Sequence, residues 1–282
     1  MMKKGLILEG GAMRGMFTAG VMDVLMENNI EFDGAIGVSA GACFGCNYKS
    51  RQIGRVIRYN STYCTDPRYC SFRSLLKTGD LYGADFCYHK IPDELDPFDK
   101  ETYNLSPMEF YVVCTDVTTG EAVYHKCETT EYTDLEWIRA SASMPLVSRI
   151  VPIDNYLLLD GGISDSIPIK YFQSIGYDRN IIVLTQPRGY RKEKNKALPL
   201  MRITLRAYPH FLQAVANRHN IYNETLDYIW QQEKEGNVLV LCPQEKLPIN
   251  RIEKDPDVLK QVYQMGRNTA QQHIQQIIEF LH

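Results

Sequence analysis

Three short stretches of this sequence place reactive groups where glycines expose them. Gly37-Val38-Ser39-Ala40-Gly41 sets a hydroxyl between two glycines. This is the pattern of a nucleophile elbow, in which a sharp strand-to-helix turn lifts the serine oxygen clear of the backbone. Gly37 and Gly41 are needed because such a turn is strained and its neighbours approach closely, where a Cβ would obstruct. Tyr156-Leu157-Leu158-Leu159-Asp160-Gly161-Gly162 ends a continuous apolar run on a carboxylate, a group that can accept the hydroxyl proton as a general base. Glu9-Gly10-Gly11-Ala12-Met13-Arg14-Gly15 offers bare backbone N–H groups, the donors that stabilise negative charge developing on a carbonyl oxygen. G-x-S-x-G alone recurs by chance in roughly one chain in ten of this length. The weight therefore rests on the three stretches together.

The elements that must hold these groups follow from hydrophobic spacing. Lys4 to Leu8 reads as a buried strand running into the glycine turn, and Met16, Phe17, Val21, Met22, Val24 and Leu25 then recur at helical spacing up to Asn28-Asn29. Ile30 to Ile36 leads back to the elbow, and Ala42 to Tyr48 continues from it as a helix. Strand, crossover helix and strand of this size signify a parallel sheet. In open parallel sheets ligands bind at the carboxyl ends of the strands, which is where Ser39 and Asp160 would meet. Glu109 to Thr115 is the clearest β-branched strand, Glu121 to His125 its hairpin partner, and Leu135 to Ala142 a helix. After the strand at Asn180 to Thr185 come long helical patterns to Glu235, a strand at Asn237 to Cys242, and a last helix opened by Asp255-Pro256. The expected division is an α/β core over 1–188 and a mainly helical extension over 189–282 packed on it.

Two other readings of the glycine turn fit less well than an oxyanion hole. A dinucleotide fingerprint starting at Gly10 needs glycine where Ala12 stands, and a P-loop needs Lys and Ser or Thr where Met16-Phe17 stand. The chain of 282 residues, 44% hydrophobic with net charge −3, reads as an ordinary globular protein and excludes a general polyanion binder, so no nucleic-acid partner is expected. No run approaches the ~20 apolar residues of a membrane span, and Glu9 and Arg14 interrupt the apolar start too early for an export signal. These features place the chain in the cytoplasm. The basic loop Arg188 to Lys196 allows peripheral contact with an anionic membrane and reads first as a solvated linker. The eight cysteines read as free thiols, Cys43 and Cys46 as helix-packing residues, and no metal or cofactor is expected. Tyr48 to about Asp99, rich in tyrosine and arginine, carries no motif and reads as helical faces over the core.

Four blocks in order carry a resemblance: Leu8 to Gly15, Gly37 to Gly41, Cys114-Thr115-Asp116 to Gly120-Glu121, and Asp160-Gly161-Gly162. Over about residues 5–190 the sequence resembles the patatin-like phospholipases, and among them the bacterial cytoplasmic members. The resemblance implies a three-layer α/β/α fold with a mostly parallel sheet. It also implies a Ser-Asp dyad with Ser39 as nucleophile and Asp160 as base, an oxyanion element at Gly10, Gly11, Ala12, Arg14 and Gly15, and a lipid or other acyl ester as substrate. Ala12 departs from the commonest form of that element, which has a third glycine. The rivals are a Ser-Asp-His triad completed by His210, His219 or His273, and a non-catalytic module that binds lipid or acyl ligands. Against the triad, one clear strand precedes the elbow and no histidine follows a strand end. The oligomeric state is left open.

Overall fold

A computed structural model describes residues 2–282. Along the first half of the chain lie β1 (Lys4–Leu8), α1 (Gly15–Glu27), β2 (Gly34–Val38), α2 (Ala40–Lys49), α3 (Arg55–Tyr63), α4 (Phe72–Thr78), a π-helical segment (Phe86–Leu95), α5 (Lys100–Leu105) and β3 (Glu109–Asp116). The second half continues with β4 (Ala122–Lys126), α6 (Tyr132–Ser141), β5 (Val151–Ile153), β6 (Tyr156–Asp160), α7 (Ile169–Ser174), β7 (Arg179–Val183), α8 (Leu198–Thr204), α9 (Pro209–Lys234), β8 (Val238–Leu241) and α10 (Pro256–Leu281). One eight-stranded sheet runs β5-β6-β3-β2-β1-β7-β8, with β4 paired to β3 off that path. The pairings among β3, β2, β1, β7 and β8 are all parallel.

The strands are apolar on both sides because helices cover both. Leu6, Leu8, Phe110, Val112 and Val183 join one core with residues of α1, α2 and α10. Their neighbours Ile7, Ile36, Val113, Ile182 and Val240 join a second with Phe172 of α7 and Tyr222 and Ile229 of α9. Alternation along each strand thus divides one sheet into two cores, giving the three-layer α/β/α architecture. The strand at residues 238–241 adds to β7 in parallel, pairing Asn180 with Val238 and Val183 with Leu241, so residues beyond 188 contribute a strand as well as helices.

The convergence expected at the carboxyl edge of a parallel sheet comes about differently. β6 runs antiparallel to β3. Parallel β2 occupies β3 from Glu109 to Val113, where Val38 faces Val113. β4 pairs along Tyr111 to Thr115, so it takes the opposite edge from β2. β6 also pairs with Cys114 and Thr115, and must therefore share the edge of β2 beyond the point where β2 stops. Coming from the other direction, it ends with Asp160 opposite Cys114. Ser39 follows Val38 and Asp160 faces the next position of β3, so a single strand fixes the spacing of the two.

α10 lies across α1 at backbone contact. A Cβ on Gly266 would collide with the carbonyl oxygen of Phe17, and one on Gly20 with that of Tyr263. Tyr263 donates to Asp23 Oδ2 at 2.6 Å beside this crossing, and Arg267 forms a paired contact with Glu27. Helix propensity alone favours Gly266→Ala by about 1 kcal/mol. The collision is with rigid backbone, so overpacking outweighs propensity and the expected net result is a loss of about 2 kcal/mol, read as a lower urea midpoint.

Candidate active site

Ser39 sits between β2 and α2 with φ 56° and ψ −122°, a left-handed conformation costly for a residue bearing a side chain. Its surroundings hold it there. A Cβ on Gly37 would strike the Gly41 carbonyl, and one on Gly41 would strike that of Leu8. The Ser39 N–H donates to Ser141 Oγ at 3.0 Å, and the Ser141 hydroxyl donates to the Val113 carbonyl at 2.6 Å. α6 is thereby tied to both β3 and the elbow.

The Ser39 hydroxyl donates to Asp160 Oδ2 at 2.7 Å. The other carboxylate oxygen accepts the Gly162 N–H at 2.8 Å, and Thr115 Oγ1 donates to the Asp160 carbonyl at 2.9 Å. Both carboxylate oxygens are therefore oriented. Burial raises the Asp160 pKa above its usual value, opposed by the Arg218 guanidinium and by the two hydrogen bonds. A more basic carboxylate is a better proton acceptor.

The glycine turn lies directly against the elbow. A Cβ on Gly10 would stand 2.8 Å from Ser39 Cβ and 2.8 Å from the Val38 carbonyl oxygen. Among the described residues, the N–H groups of Gly10 and Gly11 donate to no protein acceptor. Ala12 takes φ 50°, where the glycine of the commonest sequence would be unstrained. Ala12→Gly is expected to raise the stability by about 0.5–1 kcal/mol, measured by denaturant unfolding, because relief of a left-handed alanine exceeds the added freedom of the unfolded chain. Arg14 extends into a cavity next to Ser39, with its Nε buried and without a partner. Gly15 lines neither of the two cavities at the elbow; its missing Cβ admits Phe44 of α2, which would lie 2.6 Å away.

Ser39, Ala12 and Met144 are shared by those two cavities. The smaller, of about 140 Å³, is lined mainly by apolar and aromatic side chains, among them Phe44, Tyr59, Tyr82, Tyr88 and Ile138. The tyrosine-rich stretch after Tyr48, which carries no motif, supplies most of that aromatic wall. The larger, of about 300 Å³, holds Glu9, Arg14, Asp160, Lys192, Arg218 and Arg251. Within the basic loop Arg188 pairs with Glu233 at 2.7 Å and Arg191 with Asp227, whereas Lys192 turns inward over the Tyr222 ring at 4.0 Å. Arg218 lies mid-helix in α9, where no local pattern marks it.

The remaining sequence candidates take structural places. All eight cysteines are unpaired. Cys43 and Cys46 lie on α2 with their pKa values pushed by burial to about 11 and about 12, so both pack as thiols. His125, Cys127 and Asp134 bring three ligand types together. However, Asp134 already uses its oxygens on His125 Nε2 at 2.7 Å and on the Thr129 N–H at 2.8 Å. No histidine lines either cavity, and His273 Nδ1 instead lies 2.8 Å from the Thr269 carbonyl. Among the described residues, no helix is long and apolar enough to cross a membrane.

Residues 6–172 match the family model described as patatin-like phospholipase, and residues 208–282 match a domain of unknown function (DUF6363). An uncharacterized protein of Escherichia coli, YjjU, is 30% identical over 64% of this chain and 52% of its own length. A patatin-like phospholipase domain-containing protein of Caenorhabditis elegans, ZK370.4, is 26% identical over 61% of the chain and 13% of its own length. The lysophospholipase nte1 of Aspergillus niger is 29% identical over 62% of the chain and 11% of its own length. The chain thus spans about half of the first relative and about a tenth of the other two.

Proposed function

The chain belongs to the patatin-like phospholipases, and from that premise we propose that it hydrolyses acyl esters of lipids through a covalent acyl-enzyme on Ser39, with Asp160 as the base. The observation that carries this reading is the 2.7 Å hydrogen bond from Ser39 Oγ to Asp160 Oδ2. As Ser39 Oγ attacks the ester carbonyl, its proton passes along that bond to Asp160. The carbonyl oxygen becomes an oxyanion facing the free N–H groups of the glycine turn, each donor contributing roughly 3 kcal/mol in a dry site. Asp160 then returns its proton to the leaving alcohol as the tetrahedral intermediate collapses. Water, deprotonated by the same carboxylate, releases the acid and regenerates Ser39.

The two cavities give the substrate a direction. The acyl chain occupies the aromatic one, and the alcohol portion of the ester occupies the polar one. A Ser-Asp-His triad gains no support, since both Asp160 oxygens are engaged without a histidine. A binding module without turnover has no use for a strained serine held on a buried carboxylate.

A fluorophosphonate tests the assignment. Mass spectrometry of the labelled protein is expected to place one adduct on Ser39, absent from Ser39→Ala. An adduct on another serine, or none on the active protein, contradicts the dyad.

A further inference from the structure

Glu9 immediately precedes the glycine turn, and its carboxylate is buried. Its two oxygens reach two distant parts of the chain. Oε2 accepts the Thr185 N–H at 2.6 Å, just past β7, and Oε1 accepts the Tyr222 hydroxyl of α9 at 2.6 Å. The Glu9 N–H donates to the Val183 carbonyl at 3.1 Å. Thr185 lies against the turn itself. Its Oγ1 is 3.1 Å from Glu9 Oε2 and 3.4 Å from the Gly10 carbonyl oxygen, and a Cβ on Gly11 would stand 2.7 Å from that Oγ1. A continuous line of contacts thus runs from α9 through Glu9 and Thr185 to Gly10 and Gly11. These are the residues whose N–H groups donate to no protein acceptor among the described residues.

Burying a carboxylate is costly even when it is hydrogen-bonded, and an apolar residue would serve packing alone. What the carboxylate adds is a bridge between two elements at the root of the turn. Tyr222 belongs to the buried stripe Phe211, Val215, Tyr222, Leu226 and Ile229 of α9, where spacing asks only for an apolar side chain. Its ring is fixed by Lys192 at 4.0 Å over one face and by Tyr190, edge-on, at 6.0 Å between centroids. The hydroxyl is therefore aimed at Glu9 by a side chain that cannot swing away. Donors to a developing oxyanion act only where they are held in place beforehand, and a misplacement of about 1 Å can cost about a hundredfold in rate.

We propose that Tyr222 and Glu9 are positioning residues for the oxyanion: the Tyr222 hydroxyl, through Glu9 and Thr185, holds the Gly10 and Gly11 N–H groups where they receive the negative charge. This rests on the hydrolase reading of Ser39 and deepens it. Tyr222 lines neither cavity, so it acts through Glu9 and not on the substrate. It lies outside the matched residues 6–172 and within residues 208–282, which match a domain of unknown function. The later segment thereby has a part in the chemistry as well as in packing.

The test compares native protein, Tyr222→Phe and Tyr228→Phe on 4-nitrophenyl butyrate. Tyr222→Phe keeps the ring and loses the hydroxyl; it is expected to lower kcat at least about tenfold with KM within about twofold, since the oxyanion forms only in the transition state. Phosphonylation of Ser39 by a fluorophosphonate should slow by a similar factor, because the phosphonyl oxygen enters the same site. Tyr228→Phe removes another α9 hydroxyl, one that donates to Gln173 Oε1 at 2.7 Å, and is expected to leave both rates unchanged. Glu9→Gln has one carbonyl oxygen for two donors; it should reproduce the loss and gives the reading if Tyr222→Phe does not fold. Unchanged rates in Tyr222→Phe, a change confined to KM, or an equal loss in Tyr228→Phe overturns the proposal. Crystal structures of native protein and Tyr222→Phe read the turn without turnover. Displacement of Gly10 and Gly11 in the variant supports the link from α9 even if the native protein neither hydrolyses the ester nor labels at Ser39, in which case the hydrolase reading alone fails. A superimposable turn overturns the link whatever the rates.

Discussion

Ser39→Ala is expected to reduce ester hydrolysis by at least about 10⁴-fold, leaving the fold intact. Removing a nucleophile eliminates the covalent route, and what remains is the modest catalysis that oxyanion donors and binding provide alone. The substitution deletes one oxygen and keeps the Cβ packed against Gly10, so the elbow retains its shape. The N–H of residue 39 still donates to Ser141 Oγ, because that bond is made by the backbone. Hydrolysis of a soluble acyl ester, followed with far-UV circular dichroism and a thermal melt, checks the expectation. Activity retained within tenfold in Ser39→Ala sinks the assignment.

Asp160→Asn carries the second largest effect, about 10²–10⁴-fold in kcat/KM, the range for loss of a general base. Asparagine matches aspartate in size, and its oxygen can still accept the Gly162 N–H, so packing changes little. What it lacks is the capacity to take the Ser39 proton. The pH profile separates this role from a purely structural one. Because burial raises the folded pKa of Asp160, the base is protonated and inactive at low pH and becomes competent as pH rises through that elevated value. The acid limb of kcat/KM should therefore lie above the ordinary aspartate value of about 3.9 and disappear in Asp160→Asn. An unchanged limb in the variant contradicts the assignment to Asp160.

The pairing of Ser39 with Asp160 was foreshadowed in the sequence because a hydroxyl and a carboxylate at strand ends, each next to glycines, are local signals. The glycine turn was legible for the same reason, and so were α1, from its apolar residues at helical spacing, and β3, from its β-branched run. The direction of β6 was not. Tyr156 to Asp160 is continuously apolar, a pattern that fits a buried strand of either direction, and antiparallel pairing emerges only from contacts with β3. The polar cavity was hidden for a different reason. Arg218 is one polar position in a long helix and Lys192 one of several cations in a loop, and the inward turn of each depends on residues far away in sequence. The Val238 to Leu241 strand was visible, whereas its place beside β7 is a long-range pairing that no short window contains.

The crossing of α1 and α10 has a consequence in time as well as in stability. Residues 15–27 are synthesised early and residues 256–281 late, so one of the broadest surfaces of α1 stays uncovered until translation of the described chain is nearly finished. The open edge of β7 likewise waits for β8. A nascent chain with an apolar helix face and an unpaired strand edge is the kind of species that aggregates or is held by chaperones. Contacts that join such distant residues also slow folding, because a long loop must close before they form. The elbow and β6 can pair on β3 while this is still under way, but Arg218 and Arg251 arrive with the later segment. Synthesis therefore delivers Ser39 and Asp160 before the cations of α9 and of the loop that precedes α10.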